Sequence, residues 1–192
     1  MFKYLLFFAL GCNSCGSAEL EVSGDSTIVE EVTPKPWDDW EECGQIVDQH
    51  PCNFSFKDQN GEDVELYDHY GKVIVVDFST MWCGPCNVAA PYAEIFKQEF
   101  GAENFIWLTV LVENSAGDDT TQEDLQIWES MHGLTDPVLS ATKEEIHDPN
   151  GVVGYPIGGW PTMVVIDREM VLRFGIYGWS ESTMRTNIQN WL

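Results

Sequence analysis

Cys83 and Cys86 are the residues of this 192-residue chain whose types and spacing most directly suggest chemistry. Gly84 and Pro85 lie between them and suit the start of a helix, because Pro is tolerated in a first helical turn and Gly permits a tight turn before it. At an exposed helix start, the Cys83 sulfur would lie near unpaired backbone N–H groups, which favour thiolate over thiol. We therefore predict that Cys83 is a nucleophile and that Cys86, one turn further on, closes a disulfide with it.

Zinc binding is the alternative use of such a pair. Zinc prefers four ligands, usually including a second Cys or His pair at short spacing. The only other pair with this spacing, Cys12 and Cys15, lies in an apparent export signal, and none of the four histidines forms a pair with ligand spacing. The sequence thus favours redox chemistry, for which we predict no metal and no cofactor.

The run from Val73 to Phe78 must position this pair. It is short, β-branched and apolar on both faces, as expected of a central parallel strand covered by helices. Asp77 is its one acid. Desolvation in such a strand raises the pKa of a carboxyl group toward the range of a general base, so Asp77 is the candidate acceptor for the proton that Cys86 must lose. The alternative is a strand-end acid that reaches solvent.

The segment Trp82–Cys86, Trp-Cys-Gly-Pro-Cys, resembles the active-site motif of the thioredoxin family. Asp77 matches that family's buried acid, Pro91 its helix-kinking proline, and the segment Trp160–Thr162 its cis-proline segment. The resemblance spans about residues 50 to 192. It implies an α/β, thioredoxin-like fold, in which helices flank a central mixed β-sheet, and the activity of a thiol-disulfide oxidoreductase.

The resemblance also implies where substrate binds. A cis Pro161 would place the backbone of Trp160 beside the sulfurs, where a substrate chain can pair by strand addition, and Trp82 would contact substrate beside the cysteines. Trp160 departs from the small or branched residue usual at its position, and we expect it to narrow the groove. The implied partners are protein thiols and disulfides and a redox partner protein.

Two features precede the central strand. Asn53–Lys57 and Asp63–Leu66 alternate about the turn Asp58–Gly61, which predicts a β-hairpin. Such an N-terminal hairpin resembles the AhpC/TSA and TlpA-type thioredoxin-like proteins. Cys43 and Cys52 are predicted to form a structural disulfide at the domain entrance, with a second redox pair as the alternative.

The helix after Cys86 is expected to run to about Phe100 with Ala90, Ile95 and Phe96 facing inward. A second helix opens with the capping pattern at Thr121 and carries Met131 on its buried face, while His132 is interpreted as a partner of the helix dipole at its end. The remaining patterns predict strands at Phe105–Val112, Thr162–Ile166 and Val171–Ile176 and a helix after Ser180.

Charge restricts the possible partners. Nine Lys and Arg residues oppose 32 acids, which gives a formal net charge of −23. This excess argues against nucleic acid or an anionic membrane surface as a binding partner. We interpret it as the solubility-tuned surface of an exported protein, with an acidic docking surface as the alternative.

The N-terminus indicates export. Residues 1–11 have one cation and a short apolar run that fits a signal peptide. They end before Cys12 in a pattern that resembles a bacterial lipoprotein signal, in which that cysteine is lipidated; a simple cleavable signal ending near Ala18 is the alternative. We predict an acidic linker over 12–42, a thioredoxin-like domain over 43–192, and lipid-anchored membrane association in the periplasm or cell envelope. Six cysteines in so short a chain suggest an oxidising compartment.

Two other functions remain open. A peroxiredoxin-like thiol peroxidase is suggested by Thr80-x-x-Cys83, which matches part of a peroxidatic motif, although Val76 stands where that motif has Pro. A non-catalytic metal-binding lipoprotein or copper chaperone would use the thiols to bind a soft metal, but no Met or His cluster supports it.

Overall fold

The central strand β3 (Val73–Thr80) is buried along its whole length and runs between two neighbours that cover both of its edges. It pairs in parallel with β4 (Phe105–Glu113) and antiparallel with β6 (Thr162–Ile166). The computed structural model describes residues 34–192. The predicted signal peptide, Cys12, Cys15 and the linker up to residue 33 lie outside these residues.

Seven strands form one mixed sheet in the order β2-β1-β5-β4-β3-β6-β7. The four not yet given are β1 (Ser55–Asp58), β2 (Asp63–Glu65), β5 (Val138–Ser140) and β7 (Leu172–Tyr177). This arrangement confirms the predicted mixed α/β fold.

Five helices flank the sheet within the described part of the chain. They are α1 (Gly84–Ala89), α2 (Tyr92–Phe100), α3 (Gln122–His132), α4 (Lys143–Ile146) and α5 (Glu181–Gln189), and short 3-10 turns cover Pro36–Asp39 and Leu66–His69. None of these helices has the length and apolarity needed to cross a bilayer. Residues Asp39–Leu192 form one compact unit, which contains the seven-stranded sheet and these five helices.

The predicted N-terminal hairpin is formed by β1 and β2, with Phe56 opposite Val64. The carboxylate of Asp58 fixes its turn, since Oδ1 accepts from the backbone N–H groups of Asn60 at 2.8 Å and Glu62 at 2.9 Å. β1 also pairs antiparallel with β5, so the hairpin extends the main sheet.

The helix after Cys86 is not continuous. α1 ends at Ala89 and α2 begins at Tyr92, because Pro91 lacks the N–H that would continue the helical hydrogen bonding. The expectation that Ile95 faces inward is wrong: its side chain is exposed, whereas Phe96 is fully buried. Residues one position apart point about 100° apart around a helix, so only one of the two can face the sheet.

The capping pattern at Thr121 is confirmed, with Asp124 as its reciprocal partner. Met131 was expected on the buried face of α3 and is exposed instead, because it lies about 120° around the helix from the buried Leu125. His132 lies within about 20° of Leu125 and packs edge-on against Trp128, with ring centroids 4.3 Å apart. His132 lies in the last turn of α3, as expected, and burial lowers the pKa of its ring, which favours the neutral form.

Candidate active site

The turn between β3 and α1 holds Cys83 at the first turn of the helix. Its backbone N–H donates to the carbonyl of Thr80 at 3.2 Å, and Cys83 is the residue that caps α1. Asn87 reaches back from the helix, where its side-chain amide donates to the carbonyls of Met81 at 3.0 Å and Cys83 at 2.9 Å. The loop that presents the first cysteine is therefore held from both ends.

Cys83 and Cys86 are joined by a disulfide. The backbone N–H of Cys86 donates to the Cys83 sulfur at 3.2 Å, and in the reduced protein a donor at this position would stabilise the Cys83 thiolate. The expectation of an exposed Cys83 is wrong for this oxidised form, since only 3% of the residue is exposed; Cys86 is fully covered. Cys83 is still the more accessible of the pair.

Asp77 is fully buried at the fifth of the eight positions of β3. Its two carboxylate oxygens accept from the Ser79 hydroxyl at 2.7 Å and from the Trp107 indole N–H at 3.3 Å. Burial raises the pKa of Asp77 to about 7, and the two hydrogen bonds offset part of that rise. Asp77 therefore does not reach solvent, contrary to the alternative of a strand-end acid.

Asp77 faces the same side of the sheet as the cysteines. Side chains alternate along a strand, so Asp77 shares its face with Val73 and Val75. Those two valines belong to the buried apolar cluster that contains Cys83 and Cys86. The central strand thus places a protonatable carboxyl group on the cysteine side of the core.

The peptide bond between Trp160 and Pro161 is cis. The next residue, Thr162, pairs with Phe78, which sets this segment beside the carboxyl end of β3, from which the chain turns toward Cys83. The Thr162 hydroxyl donates to the carbonyl of Gly159 at 2.7 Å and holds the turn. Trp160 packs against the apolar cluster that includes both cysteines.

Trp82 stands beside the disulfide with 52% of its surface exposed. Its indole N–H donates to Oε2 of Glu113 at 2.8 Å, and the other carboxylate oxygen accepts from Lys143 at 2.9 Å. The Lys143 ammonium in turn lies 5.8 Å from the ring centroid of Trp160. The hydrogen bond from Lys143 is the largest cause of a pKa of Glu113 below its ordinary value.

The profile of the AhpC/TSA family matches residues 47–174, which is most of the chain and includes both cysteines, Asp77 and the cis-proline segment. The chain belongs to the AhpC/TSA family. The chain is similar to the thioredoxin-like protein YneN of Bacillus subtilis, with 26% identity over 69% of this chain and 72% of YneN. It is also 26% identical to the thiol-disulfide oxidoreductase ResA of the same organism, over 61% of this chain and 59% of ResA.

Solved structures share the fold of this AhpC/TSA-family chain. A thioredoxin-family thiol:disulfide interchange protein from Chlorobium tepidum superimposes with a TM-score of 0.62 at 22% identity, over 80% of this chain and 98% of the other. The exposed lipoprotein thioredoxin Etrx1 of Streptococcus pneumoniae superimposes with a TM-score of 0.54 at 25% identity, over 72% of this chain and 99% of Etrx1. The similarity to YneN and ResA identifies the chain as a thioredoxin-like thiol-disulfide oxidoreductase, and the solved structures share its fold.

A second disulfide joins Cys43 and Cys52 of this AhpC/TSA-family chain. Gln45, inside the loop that this disulfide closes, donates its backbone N–H to the carbonyl of Gly151 at 2.7 Å and its side-chain amide to the carbonyl of Cys52 at 3.2 Å. The disulfide therefore closes a loop beside the turn at Gly151. Within residues 34–192, no cluster of three or more His, Cys, Asp or Glu side chains could hold a metal ion.

Four residues at the site were not predicted from the sequence of this AhpC/TSA-family chain. Sequence patterns could have indicated two of them: Ser79 is two positions after Asp77 on the same strand face, and Glu113 is the acid that ends an apolar strand. No sequence pattern indicates Trp107 or Lys143, because their contacts with Asp77 and Glu113 span 30 residues each.

Proposed function

We propose that the chain exchanges its Cys83–Cys86 dithiol or disulfide with protein disulfides in an extracytoplasmic compartment. One observation carries the proposal: the paired cysteines begin a helix directly after the central strand, with the buried Asp77 on the same face of the sheet. A nucleophilic sulfur, a resolving sulfur one turn away and a buried group that titrates near neutral pH are the parts that such exchange requires.

Exchange proceeds in two steps. The Cys83 thiolate attacks one sulfur of the substrate disulfide, forming a mixed disulfide and releasing the other substrate sulfur as a thiolate that takes up a proton. Cys86 then loses its proton and attacks Cys83, which closes the enzyme disulfide and releases the second substrate thiol. The two electrons that reduce the substrate come from the two enzyme thiols, and the reverse sequence oxidises a substrate.

Asp77 is proposed to accept the proton of Cys86. Cys86 is fully buried, so water has little access to its thiol, and a carboxyl group with a pKa of about 7 exists in both protonation states near neutral pH. Ser79 and Trp107 donate to both oxygens of the ionised form, which keeps the carboxylate available despite its burial.

The substrate is proposed to lie against Trp82, Trp160 and Pro161. The exposed indole of Trp82 offers apolar surface next to Cys83, and the turn before β6 offers backbone at the cis Trp160–Pro161 bond. The carbonyl of Pro161 already accepts from Gly178 at 2.7 Å, so strand addition would use the backbone of Trp160.

The proposed setting is the periplasm or cell envelope, with a lipid anchor at Cys12. The signal-like residues 1–11 and the Cys43–Cys52 disulfide, which we propose to be structural, support an oxidising compartment. Etrx1, with which the chain shares its fold, is described as an exposed lipoprotein thioredoxin. A redox partner protein would return the pair to its starting state, and the charge of −23 disfavours nucleic acid.

The deciding experiment measures disulfide exchange by the reduced full-length protein, its Cys83→Ser variant and its Cys86→Ser variant. We expect the parent to reduce a peptide disulfide, Cys83→Ser to be inactive, and Cys86→Ser to accumulate a mixed disulfide seen by mass spectrometry. Peroxide consumption and Cu(I) titration run in parallel. Rapid peroxide turnover without peptide reduction would support the peroxidase alternative, and tight copper binding without exchange the metal-binding one.

A further inference from the structure

Four side chains form a continuous network at the edge of the candidate active site. Trp82 donates to Glu113 at 2.8 Å, Glu113 accepts from Lys143 at 2.9 Å, and Lys143 lies over the ring of Trp160 at 5.8 Å. We call these four residues the rim network. Its two ends are the tryptophans that precede Cys83 and Pro161, so the network joins the two sides of the site through groups that lie outside the cysteine motif.

The elements that carry the network are separate in the fold. Trp82 belongs to the turn before α1, Glu113 ends β4, Lys143 opens α4, and Trp160 belongs to the turn before β6. Glu113 is paired with Thr80 at a register shift of the β3–β4 ladder, which brings its carboxylate to the edge where β3 ends. The backbone N–H of Met81 also donates to the carbonyl of Glu113 at 2.9 Å, so the main chain holds Trp82 near Glu113, and the side chains of Glu113 and Lys143 extend this connection to Trp160.

Protein stability alone does not account for the ion pair between Lys143 and Glu113. Its side chain is 54% exposed, and exposed ion pairs stabilise folded proteins little. The Glu113 side chain is only 18% exposed and uses both oxygens, one for each neighbour. The carboxylate therefore fixes the direction of an indole that is half exposed, and an aromatic wall that is ordered before binding reduces the entropy lost when a substrate binds.

We propose that Glu113 and Lys143 are positioning residues that set the two tryptophan walls of the substrate groove, so that the enzyme favours disulfides carried on polypeptide segments with apolar residues beside the cysteine. The positive charge of Lys143 is matched by Glu113, and the surfaces offered to the substrate are indole rings. A substrate too small to touch both walls gains nothing from the network. This inference rests on the proposed disulfide exchange and names its substrate class.

The test compares two disulfides on the full-length protein. One is a short peptide with an intramolecular disulfide and Leu beside the attacked cysteine, and the other is hydroxyethyl disulfide, which has no polypeptide backbone and no apolar side chain to place against the two tryptophans. Lys143→Met is expected to raise KM for the peptide about fivefold with less than a twofold change in kcat, because it removes an ion pair and a cation–π contact. The specificity ratio kcat/KM of peptide over small disulfide should fall by a similar factor.

Two further variants separate positioning from folding. Lys143→Arg keeps the charge and the contact with an aromatic face, so it should restore most of the peptide preference. Lys57→Met removes a similarly exposed lysine from its ion pair with Asp63 in the N-terminal hairpin and should leave the ratio unchanged. If Lys143→Met only destabilised the protein, kcat/KM would fall by the same factor for both disulfides.

The outcomes distinguish this inference from the proposed function. If the parent reduces neither disulfide, the proposed function itself is wrong. If it reduces both and Lys143→Met shows the same ratio as Lys57→Met, the exchange activity stands and the positioning role of the rim network is refuted. If the preference is lost in Lys143→Met and not recovered in Lys143→Arg, the role assigned to the charge is refuted.

Discussion

The indole N–H of Trp107 donates to the carboxylate of Asp77 at 3.3 Å, across the parallel pair β3 and β4. Trp107 lies opposite Val75 in the ladder, so its side chain reaches diagonally to the next position on the same face. The contact places a neutral donor beside a carboxyl group that has no other hydrogen-bonding partner but Ser79 among the described contacts. With two donors and no cation, burial dominates, and the pKa of Asp77 rises to about 7.

Asp77→Asn should slow the second step of exchange while leaving the first nearly unchanged. The amide cannot take the proton of Cys86, whereas attack by Cys83 does not require it. Stopped-flow measurement with a model disulfide resolves the two steps, and we expect a fall of about 10²-fold in the rate of resolution at pH 7. Equal rates of both steps in variant and parent would mean that protons leave by another route, such as water.

The same substitution should stabilise the protein at neutral and higher pH. A carboxyl group whose pKa is 3.8 unfolded and about 7 folded binds its proton more tightly in the folded state. This tighter proton binding contributes fully to the unfolding free energy of the parent below pH 4, and the contribution is lost as the pH rises through 7. The unfolding free energy of Asp77→Asn relative to the parent should therefore increase between pH 4 and 8, by at most about 4 kcal/mol.

Urea unfolding of the oxidised proteins at these two pH values provides the measurement. Glu62→Gln, which removes an exposed acid from the hairpin turn, is the matched control and should show no such trend. A variant-to-parent difference that is the same at both pH values would contradict the raised pKa of Asp77.

Ser79→Ala should move the pH dependence of exchange upward. The Ser79 hydroxyl donates to the Asp77 carboxylate and lowers its pKa, so its removal raises that pKa further. Since the proton acceptor must be ionised, the midpoint of the resolution rate against pH should rise by about one pH unit. Ser140→Ala removes a hydroxyl of β5 that bonds to Thr120, and the midpoint of the variant should match that of the parent.

Cys83 should react with iodoacetamide at least about tenfold faster than Cys86 in the reduced protein near pH 7. Cys83 begins the helix and its sulfur accepts an N–H, whereas Cys86 is fully covered. Brief alkylation followed by peptide mass mapping gives the two extents of labelling. Preferential modification of Cys86 would reverse the roles assigned to the two sulfurs.

Replacing both Cys43 and Cys52 with Ala should lower the unfolding free energy by about 2–3 kcal/mol, because a closed loop of roughly ten residues restricts the unfolded chain. Disulfide exchange at Cys83 should persist under conditions where the variant is folded. The measurement is urea unfolding beside an exchange assay. Loss of exchange in the folded double variant would indicate that this pair takes part in electron transfer.

Local patterns in the sequence predicted much of the scaffold. The β-branched run of β3, the capping pattern at Thr121 and the turn at Asp58 each depend on residues within a few positions of one another, so their structures follow from local sterics and hydrogen bonds. The spacing of Cys83 and Cys86 likewise predicted their disulfide, since both lie within one helical turn.

Side-chain direction was less predictable. Ile95 and Met131 are apolar and lie in helices with apolar stripes, yet both are exposed. In each helix the apolar residues cover a wider arc of the helix surface than the arc that is buried. The edge of that arc depends on how the helix is rotated against the sheet, and apolar composition does not specify that rotation.

Sequence patterns were enough to predict the reactive pair, the strand that leads to it, the buried acid and the fold class. The groups that surround them depend instead on three-dimensional packing: Trp107 at Asp77, and Glu113 and Lys143 between Trp82 and Trp160. The hydrogen bonds among these groups join residues about 30 positions apart through the register of β3 with β4 and the placement of α4. Register and helix placement result from packing of the whole sheet, because the free energy that fixes them is spread over all its buried side chains and resides in no local pattern.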